Sequence, residues 1–169
     1  YTLMLFNRLK NIWSWQYYTE EKEAFSLTYL SVLKNEILNS PYLADNVLNY
    51  NFDNTLGFSI IFKYHALQRT LEKFPFFASY LEKVMSTENN VYYLNALVLT
   101  LNSSVQRHID YSLRPYAPNL RFPRRVSVLY VEIPKMEGGQ LILMKEDNGI
   151  IAEIQPEINK LLYFKGHLK

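Results

Sequence analysis

The chain has 169 residues, of which 49% are hydrophobic, so it is long enough to bury a sizeable core and is predicted to form one domain over residues 1–169. The formal net charge is only +2 and both signs are mixed along the chain, which argues against a nucleic-acid partner. The absence of cysteine excludes a disulfide framework, a thiolate metal site and a cysteine nucleophile. No apolar run approaches the roughly 20 residues of a membrane helix, so we expect a cytoplasmic protein with no membrane partner.

The first part of the chain, about residues 1–88, is predicted to be helical. Thr19 is a candidate N-cap, and the glutamates that follow it suit the first turn of a helix. A second helical region is expected from His65 to Met85, with an interruption at Pro75. The apolar face of the first helix would consist of Phe25, Tyr29, Val32 and Leu33. We interpret the nearby aromatic residues as packing rather than as a binding cage.

The second part, about residues 89–169, is predicted to form short strands. The predicted strands are Val91–Leu101, Val126–Ile133, Gln140–Met144, Ile150–Ile154 and Lys160–Phe164. The turn signals between them are Pro134, Gly138-Gly139, Asn148-Gly149 and Gln155-Pro156. Short strands with such turns indicate an antiparallel sandwich or jelly roll. The predicted fold class is α+β, with a double-stranded β-helix (jelly roll) core and an N-terminal helical layer packed on its outside.

The most informative motif is His108-Ile109-Asp110. On an extended strand, residues two positions apart point to the same face, so an imidazole and a carboxylate would lie side by side. A facial iron site needs two histidines and one carboxylate, and it leaves the other positions on the metal open. The motif therefore offers two of the three protein ligands of such a site.

The residues that follow the motif resemble the iron- and 2-oxoglutarate-dependent dioxygenases, in the branch that is similar to prolyl hydroxylases. After His108-Ile109-Asp110, the chain has Arg124-Arg125-Val126-Ser127, which resembles the Arg-x-x-Ser/Thr strand of the family. The remaining matching pieces, in order, are Tyr130, Glu137-Gly138-Gly139-Gln140-Leu141, Ile154-Gln155-Pro156 and Leu161-Leu162-Tyr163-Phe164. The resemblance covers residues 95–164, and its order and spacing carry more weight than any single piece.

The resemblance implies an enzyme with Fe(II) as cofactor and 2-oxoglutarate as co-substrate. His108 and Asp110 would be catalytic metal ligands, dioxygen would be the oxidant, and the substrate would be a small molecule or a peptidyl residue such as proline. Related halogenases have a small residue in place of the carboxylate, so Asp110 favours hydroxylation or another oxidation. The implied activity is that of an oxidoreductase that hydroxylates an unactivated carbon.

The third ligand of the family, a histidine, would fall at or just beyond Lys169. His167 follows Phe164 by only three residues, which makes it a weaker candidate for this ligand, with a simple turn residue as the alternative. His65 is expected to be an ordinary surface or core histidine. Because Tyr1 is not an initiator methionine and the last predicted strand ends close to Lys169, we expect both ends of the chain to be trimmed.

A second set of residues is assigned to the co-substrate or substrate by the same resemblance. Tyr93 and Asn95 share one face of their predicted strand and match positions that hydrogen-bond the oxoacid, with packing and solvation as the alternatives. Arg124 matches the arginine of the family. The loop from Arg114 to Arg125, including Arg121, is predicted either to recognise substrate or to be a solvated basic loop.

Two other readings of the sequence stay open. One is a non-catalytic jelly-roll binding protein with an incomplete metal site. The other is a metal-dependent cupin built on His108, for which further histidines are lacking. A serine hydrolase is set aside, because Ser103 and Ser104 do not belong to a Gly-x-Ser-x-Gly nucleophile elbow.

Overall fold

The structure, a computed structural model, describes residues 17–46, 51–110, 119 and 122–169. Its helices are α1 (Leu27–Leu38), α2 (Leu67–Lys73) and α3 (Ala78–Val84), with 3₁₀ turns at Tyr64–Ala66 and Pro75–Phe77. Its strands are β1 (Tyr18–Glu21), β2 (Ala44–Asp45), β3 (Phe52–Lys63), β4 (Val91–Val105), β5 (Arg125–Leu129), β6 (Leu141–Met144), β7 (Ile150–Ile154) and β8 (Leu161–Lys165). The helices in these ranges are too short or too polar to cross a membrane.

The chain divides into two compact units. The central unit is Thr28–His108, and the flanking unit combines the residues on either side, up to Leu27 and from Ile109. The predicted single domain over residues 1–169 stays a prediction.

The central unit contains an antiparallel sheet with the strand order β2-β3-β4. In β3 the side chains alternate between the two faces, because successive residues of a strand point in opposite directions. The Phe58 ring lies on one face and contacts the rings of Phe74 and Phe77, at centroid distances of 6.0 Å and 6.3 Å. This aromatic cluster joins β3 to the segment between α2 and α3, where Phe74 and Phe77 are buried.

The prediction of a helix capped by Thr19 is wrong. Thr19 lies in β1, where it pairs with Tyr163 of β8, and the helix begins only at Leu27. The predicted apolar face is also shifted, because Leu30 and Leu33 are buried whereas Val32 is 47% exposed. The glutamates suggested a helix start, but pairing with a buried strand outweighs such a weak local preference.

The second helical region is confirmed in outline. Between His65 and Met85 the chain forms α2 and α3, and Pro75 starts the 3₁₀ turn that separates them. Phe77 and Leu81 are buried in this region. However, the 12-residue strand β3 also lies in the part of the chain that was predicted to be helical, so a helical layer over residues 1–88 is not what the structure shows.

Tyr29 connects α1 to the segment before α3 through a half-buried hydroxyl group. Its hydroxyl donates a hydrogen bond to the Phe76 carbonyl oxygen at 3.0 Å and accepts one from the Tyr80 amide at 3.1 Å. Burial raises the pKa of Tyr29 above 10.0, which keeps this hydroxyl protonated.

We expect Tyr29→Phe to lower the free energy of unfolding by about 1 to 2 kcal/mol, because it leaves two polar groups without their shared partner. Urea unfolding followed by circular dichroism measures the change. The matched control is Tyr42→Phe, which removes a hydroxyl from a tyrosine that is 47% exposed. Equal effects of the two substitutions would contradict this role for Tyr29.

The flanking unit contains the antiparallel sheet β1-β8-β5 and the hairpin β6-β7. Its buried core cluster consists of Leu143, Ile154, Leu162 and Leu168. Four of the five predicted strands, those after residue 125, lie in this unit, and each agrees with the structure except that β5 ends at Leu129 rather than Ile133. The fifth corresponds to β4, which continues four residues beyond Leu101.

The predicted turns of the flanking unit are confirmed. Asn148 has a φ of 68°, and the Lys145 amide donates to the Gly149 carbonyl oxygen at 2.9 Å, which closes the β6-β7 hairpin. Gly138 and Gly139 have φ values of 82° and 78°, a conformation that glycine adopts without strain. The fold is thus mixed α and β with antiparallel sheets, while its closure as a jelly roll stays a prediction.

An ion cluster lies beside β8 in the flanking unit. Lys160 is only 5% exposed, and its Nζ lies 3.3 Å from Glu157 and 3.7 Å from Glu20. The same ammonium group donates to the Gln155 carbonyl oxygen at 2.9 Å. Lys22 adds a further ion pair to Glu157, at 3.0 Å. The buried ammonium is therefore compensated by two carboxylates and a carbonyl oxygen, as a buried charge requires.

Glu157 gives this cluster a pH dependence. Hydrogen bonding to Lys22, and next to Lys160, lowers the pKa of the Glu157 carboxyl group below 4.5. Because the pKa of Glu157 is lower in the folded protein, its carboxyl group takes up a proton more readily in the unfolded chain. The stability that the Glu157 charge contributes is therefore fully present above pH 4.5, and it is lost as the pH falls through the folded-state pKa.

We expect the urea midpoint to fall less with acid in Glu157→Gln than in the parent protein, because the variant has no carboxyl group to titrate. Unfolding midpoints measured between about pH 3 and 6 test this difference. Parallel pH profiles of the two proteins would show that Glu157 contributes nothing to acid sensitivity.

Candidate metal centre

The segment before the His108 motif is shaped by a bulge in β4. The register between β3 and β4 shifts between Asp53 and Thr55, and Asn54 and Asn102 have φ values of 50° and 63°. The Thr100 hydroxyl donates to the Asn54 carbonyl oxygen at 2.7 Å. Because the extra residues of a bulge bend the strand, the bulge changes the direction of the last residues of β4.

His108 is fixed by two contacts within the central unit. Its Nδ1 lies 2.6 Å from the Gln106 carbonyl oxygen, and its ring centroid lies 5.1 Å from that of Phe52. The Gln106 amide in turn donates to the Asn51 carbonyl oxygen at 2.8 Å, which ties the motif to the start of β3. A carbonyl oxygen can only accept, so Nδ1 is the donor in this contact.

A neutral histidine with its proton on Nδ1 would bind a metal ion through Nε2, one of the two ring nitrogens that metal sites use. Histidines that bind a metal through one ring nitrogen commonly donate the other N–H to a backbone carbonyl or a carboxylate, which fixes the ring orientation. The half-buried ring, held by Gln106 and Phe52, fits this arrangement. The assignment of His108 as a metal ligand stays a prediction.

Asp110 is half-buried and lies two positions after His108, beyond the end of β4. Residues 106–110 form no strand, so the extended geometry assumed for the motif does not apply here. A histidine and a carboxylate remain the donor types of a facial Fe(II) site. Within the described parts of the chain, no group of three or more histidine, aspartate or glutamate side chains is arranged to hold a metal ion.

The two other histidines differ in their surroundings. His167 is half-buried and its ring centroid lies 5.7 Å from that of Phe122. His65 is exposed in the 3₁₀ turn Tyr64–Ala66, as expected of an ordinary surface histidine. The role of His167 as a third ligand stays a prediction.

Tyr93 and Asn95 share one face of β4, as the sequence predicted, and both contact Ser59 of β3. The Tyr93 hydroxyl lies 2.8 Å from Ser59 Oγ, and Ser59 Oγ donates to Asn95 Oδ1 at 3.3 Å. Ser59 is seven residues along β3 from Phe52, which contacts His108. This separation is roughly 20 Å in a strand.

The structure therefore does not bring Tyr93 and Asn95 next to His108. A separation of this size is several times the length of a small dicarboxylic oxoacid. Their assignment to 2-oxoglutarate stays a prediction.

Arg124 is exposed in the bend before β5. The next residue, Arg125, begins β5, and its guanidinium group lies 4.9 Å from the centre of the Tyr163 ring on β8. Ser127 pairs with Tyr163 in the same ladder. The Arg-x-x-Ser segment thus starts a strand as the resemblance implies. Arg114 and Arg121, with most of the loop between Arg114 and Arg125, lie outside the described residues.

Phe52 and the Gln106 carbonyl group are the parts of this site that sequence reasoning missed. Phe52 opens β3, and the alternation of Phe58, Ile60 and Phe62 was a signal for that strand. By contrast, no side-chain pattern predicts which backbone carbonyl will accept from a histidine. These contacts become visible only when β3 and β4 are paired.

Comparison with known proteins supports the fold. No protein-family model matches the chain, and no curated protein matches its sequence. A crystal structure of a prolyl-4-hydroxylase from Pseudomonas putida is similar, with a TM-score of 0.55 and 12% sequence identity over 88% of this chain and 80% of that one. At this identity, the likeness shows that the chain has a fold like that of the prolyl-4-hydroxylase.

Proposed function

We propose that the protein is an Fe(II)- and 2-oxoglutarate-dependent dioxygenase that hydroxylates an unactivated carbon of a small molecule or of a peptidyl residue such as proline. The observation that carries this proposal is the hydrogen bond from His108 Nδ1 to the Gln106 carbonyl oxygen, because a neutral ring that donates through Nδ1 would bind a metal ion through Nε2. The fold shared with a prolyl-4-hydroxylase supports the same class.

In this proposal, His108 and Asp110 hold the iron. The bound metal, with the oxoacid and dioxygen, supplies the oxidising chemistry that the side chains of the protein cannot perform. His108 binds through Nε2 while Gln106 and Phe52 fix the plane of its ring. Asp110 adds an anionic oxygen donor, which compensates part of the charge of the metal ion.

The third ligand remains part of the proposal. The candidates are His167 and a histidine following Lys169. Lys169 lies against β6, because its amide donates to the Met144 carbonyl oxygen at 3.1 Å and its carbonyl accepts from the Met144 amide at 2.8 Å. These reciprocal bonds are those of an antiparallel strand pair.

The alternative function is a non-catalytic binding protein with the same fold. The observation that favours it is that the described residues contain no group of three possible metal ligands. The two functions differ in one measurable respect, since only the enzyme consumes 2-oxoglutarate.

Succinate formation from 2-oxoglutarate tests the proposal. The full-length protein is supplied with Fe(II), ascorbate and dioxygen, and free amino acids and proline-containing peptides are screened as substrates. We expect at least one of these compounds to stimulate succinate formation. If the protein binds a compound tightly but forms no succinate with any of them, the binding protein is the better description.

A further inference from the structure

We propose that the edge of β3 that faces away from β4 binds an extended acidic peptide by strand addition. The surface is the β3 groove, an open depression of about 440 Å3 in the central unit. Its volume falls within the range of roughly 300 to 1,000 Å3 that is typical of ligand sites. Its lining includes Tyr42, Phe58, Ser59, Ile61, Lys73 and Phe74.

The edge of β3 is available because β2 is short. β2 pairs with only Gly57 and Leu56 of β3, and the Asn46 amide continues the ladder to the Thr55 carbonyl oxygen at 3.0 Å. Beyond Gly57, no other strand of the described ranges pairs with this side of β3.

The direction of the backbone groups follows from the Asn46 contact. Because the Thr55 carbonyl points towards β2, and both backbone groups of a strand residue point to one side in an antiparallel ladder, every second residue does the same. These residues are Gly57, Ser59 and Ile61. Ser59 and Ile61 therefore present two N–H donors and two carbonyl acceptors to the groove. An added strand forms its hydrogen bonds with groups of this kind.

The opposite wall of the groove combines aromatic rings with a positive charge. The rings of Tyr42, Phe58 and Phe74 contact one another at centroid distances from 5.5 Å to 6.4 Å. Lys73 Nζ lies 4.7 Å from the centre of the Tyr42 ring. Among the described residues, no carboxylate forms an ion pair with Lys73, so this lysine can supply a positive charge to the groove.

The alternation of a strand sets the pattern of the expected peptide. A peptide residue opposite Ser59 places its side chain on the Ser59 face, whereas the next residue points towards the face of Phe58 and the aromatic rings. Lys73 lies over those rings. An aspartate or glutamate at this position would pair with Lys73 while its methylene groups cover apolar surface. The partner is therefore an extended segment with an internal acidic side chain.

The test uses fluorescein-labelled pentapeptides of alternating valine and threonine, blocked at both ends so that no terminal charge contributes. Their central residue is glutamate, glutamine or lysine, and binding is measured by fluorescence anisotropy. We expect the glutamate peptide to bind about three- to tenfold more tightly than the glutamine peptide and the lysine peptide to bind most weakly. Failure of the glutamate peptide to bind at millimolar concentration, or equal binding of the three, would overturn the proposal.

Two further measurements separate strand addition from a general charge effect. N-methylation of the peptide backbone should weaken binding by about tenfold at alternate positions and have little effect at those between. Lys73→Met should remove the preference for glutamate, whereas Lys83→Met, at an exposed lysine outside the groove, should retain it. Uniform tolerance of N-methylation, or an unchanged preference in Lys73→Met, would refute the proposed mode of binding.

Discussion

Replacing His108 with alanine is expected to reduce turnover of 2-oxoglutarate by more than about 100-fold under the proposed function, because it would remove a proposed metal ligand, and the supporting contacts of such a ligand alone typically contribute 10- to 100-fold. The proposed role rests on the contact between His108 Nδ1 and the Gln106 carbonyl oxygen. Succinate formation at saturating Fe(II) and oxoacid measures the change. Fe(II) affinity, measured anaerobically, should fall in the same variant.

The matched control for this variant is His65→Ala. His65 is exposed in a 3₁₀ turn of the same unit and should be dispensable for turnover. If His108→Ala retains turnover and Fe(II) affinity equal to those of His65→Ala, then the metal does not bind at His108. A parallel variant, Asp110→Ala, should lose both properties for the same reason, since it removes the anionic donor.

The second large effect is expected in the core of the flanking unit. Leu162 is fully buried on β8, in one cluster with Leu143, Ile154 and Leu168. Leu162→Ala would remove the contacts of the Leu162 side chain with this cluster and leave a cavity. We therefore expect the free energy of unfolding to fall by about 3 to 5 kcal/mol. Urea unfolding with two spectroscopic probes measures this difference.

The control for the core substitution is Leu101→Ala. The Leu101 side chain is 88% exposed, so its truncation should change stability by less than about 0.5 kcal/mol. A similar loss of stability in both variants would mean that the cluster around Leu162 is not the core of the flanking unit.

The strands after residue 125 could be predicted from the sequence because their signals are local. Asn148-Gly149 specifies a tight hairpin turn, and Gln155-Pro156 cannot continue the strand that ends at Ile154. The adjacent glycines at 138 and 139 likewise specify a backbone conformation that other residues adopt poorly. In such cases the amino acid itself restricts the backbone.

The strands in the first half could not be predicted in the same way. β1 exists because Tyr18–Glu21 pairs with β8, which is more than 130 residues away in the chain. Neither Thr19 nor the glutamates that follow it indicate β8 as the pairing strand, and these residues by themselves favour the start of a helix. β3 was not predicted for a different reason. Its alternating apolar residues lie between two regions that were predicted to be helical, and this alternation was not used to predict a strand.

The site was predictable only in part. His108 and Asp110 were identified from a short motif, and the order of the segments that follow it strengthened their assignment as candidate metal ligands. The hydrogen bond that fixes His108 depends on how β3 pairs with β4. The same pairing sets the separation of roughly 20 Å between Phe52, which contacts His108, and Ser59. Such distances are properties of the fold and cannot be obtained from spacing along the chain.

The most direct test of the proposed iron centre is the optical spectrum of the full-length protein with Fe(II) and 2-oxoglutarate under anaerobic conditions. We expect a weak visible metal-to-ligand charge-transfer band that appears only when metal and oxoacid are both present, and that is lost in Asp110→Ala. Absence of this band from the parent protein, with both components supplied in excess, would contradict the proposed centre.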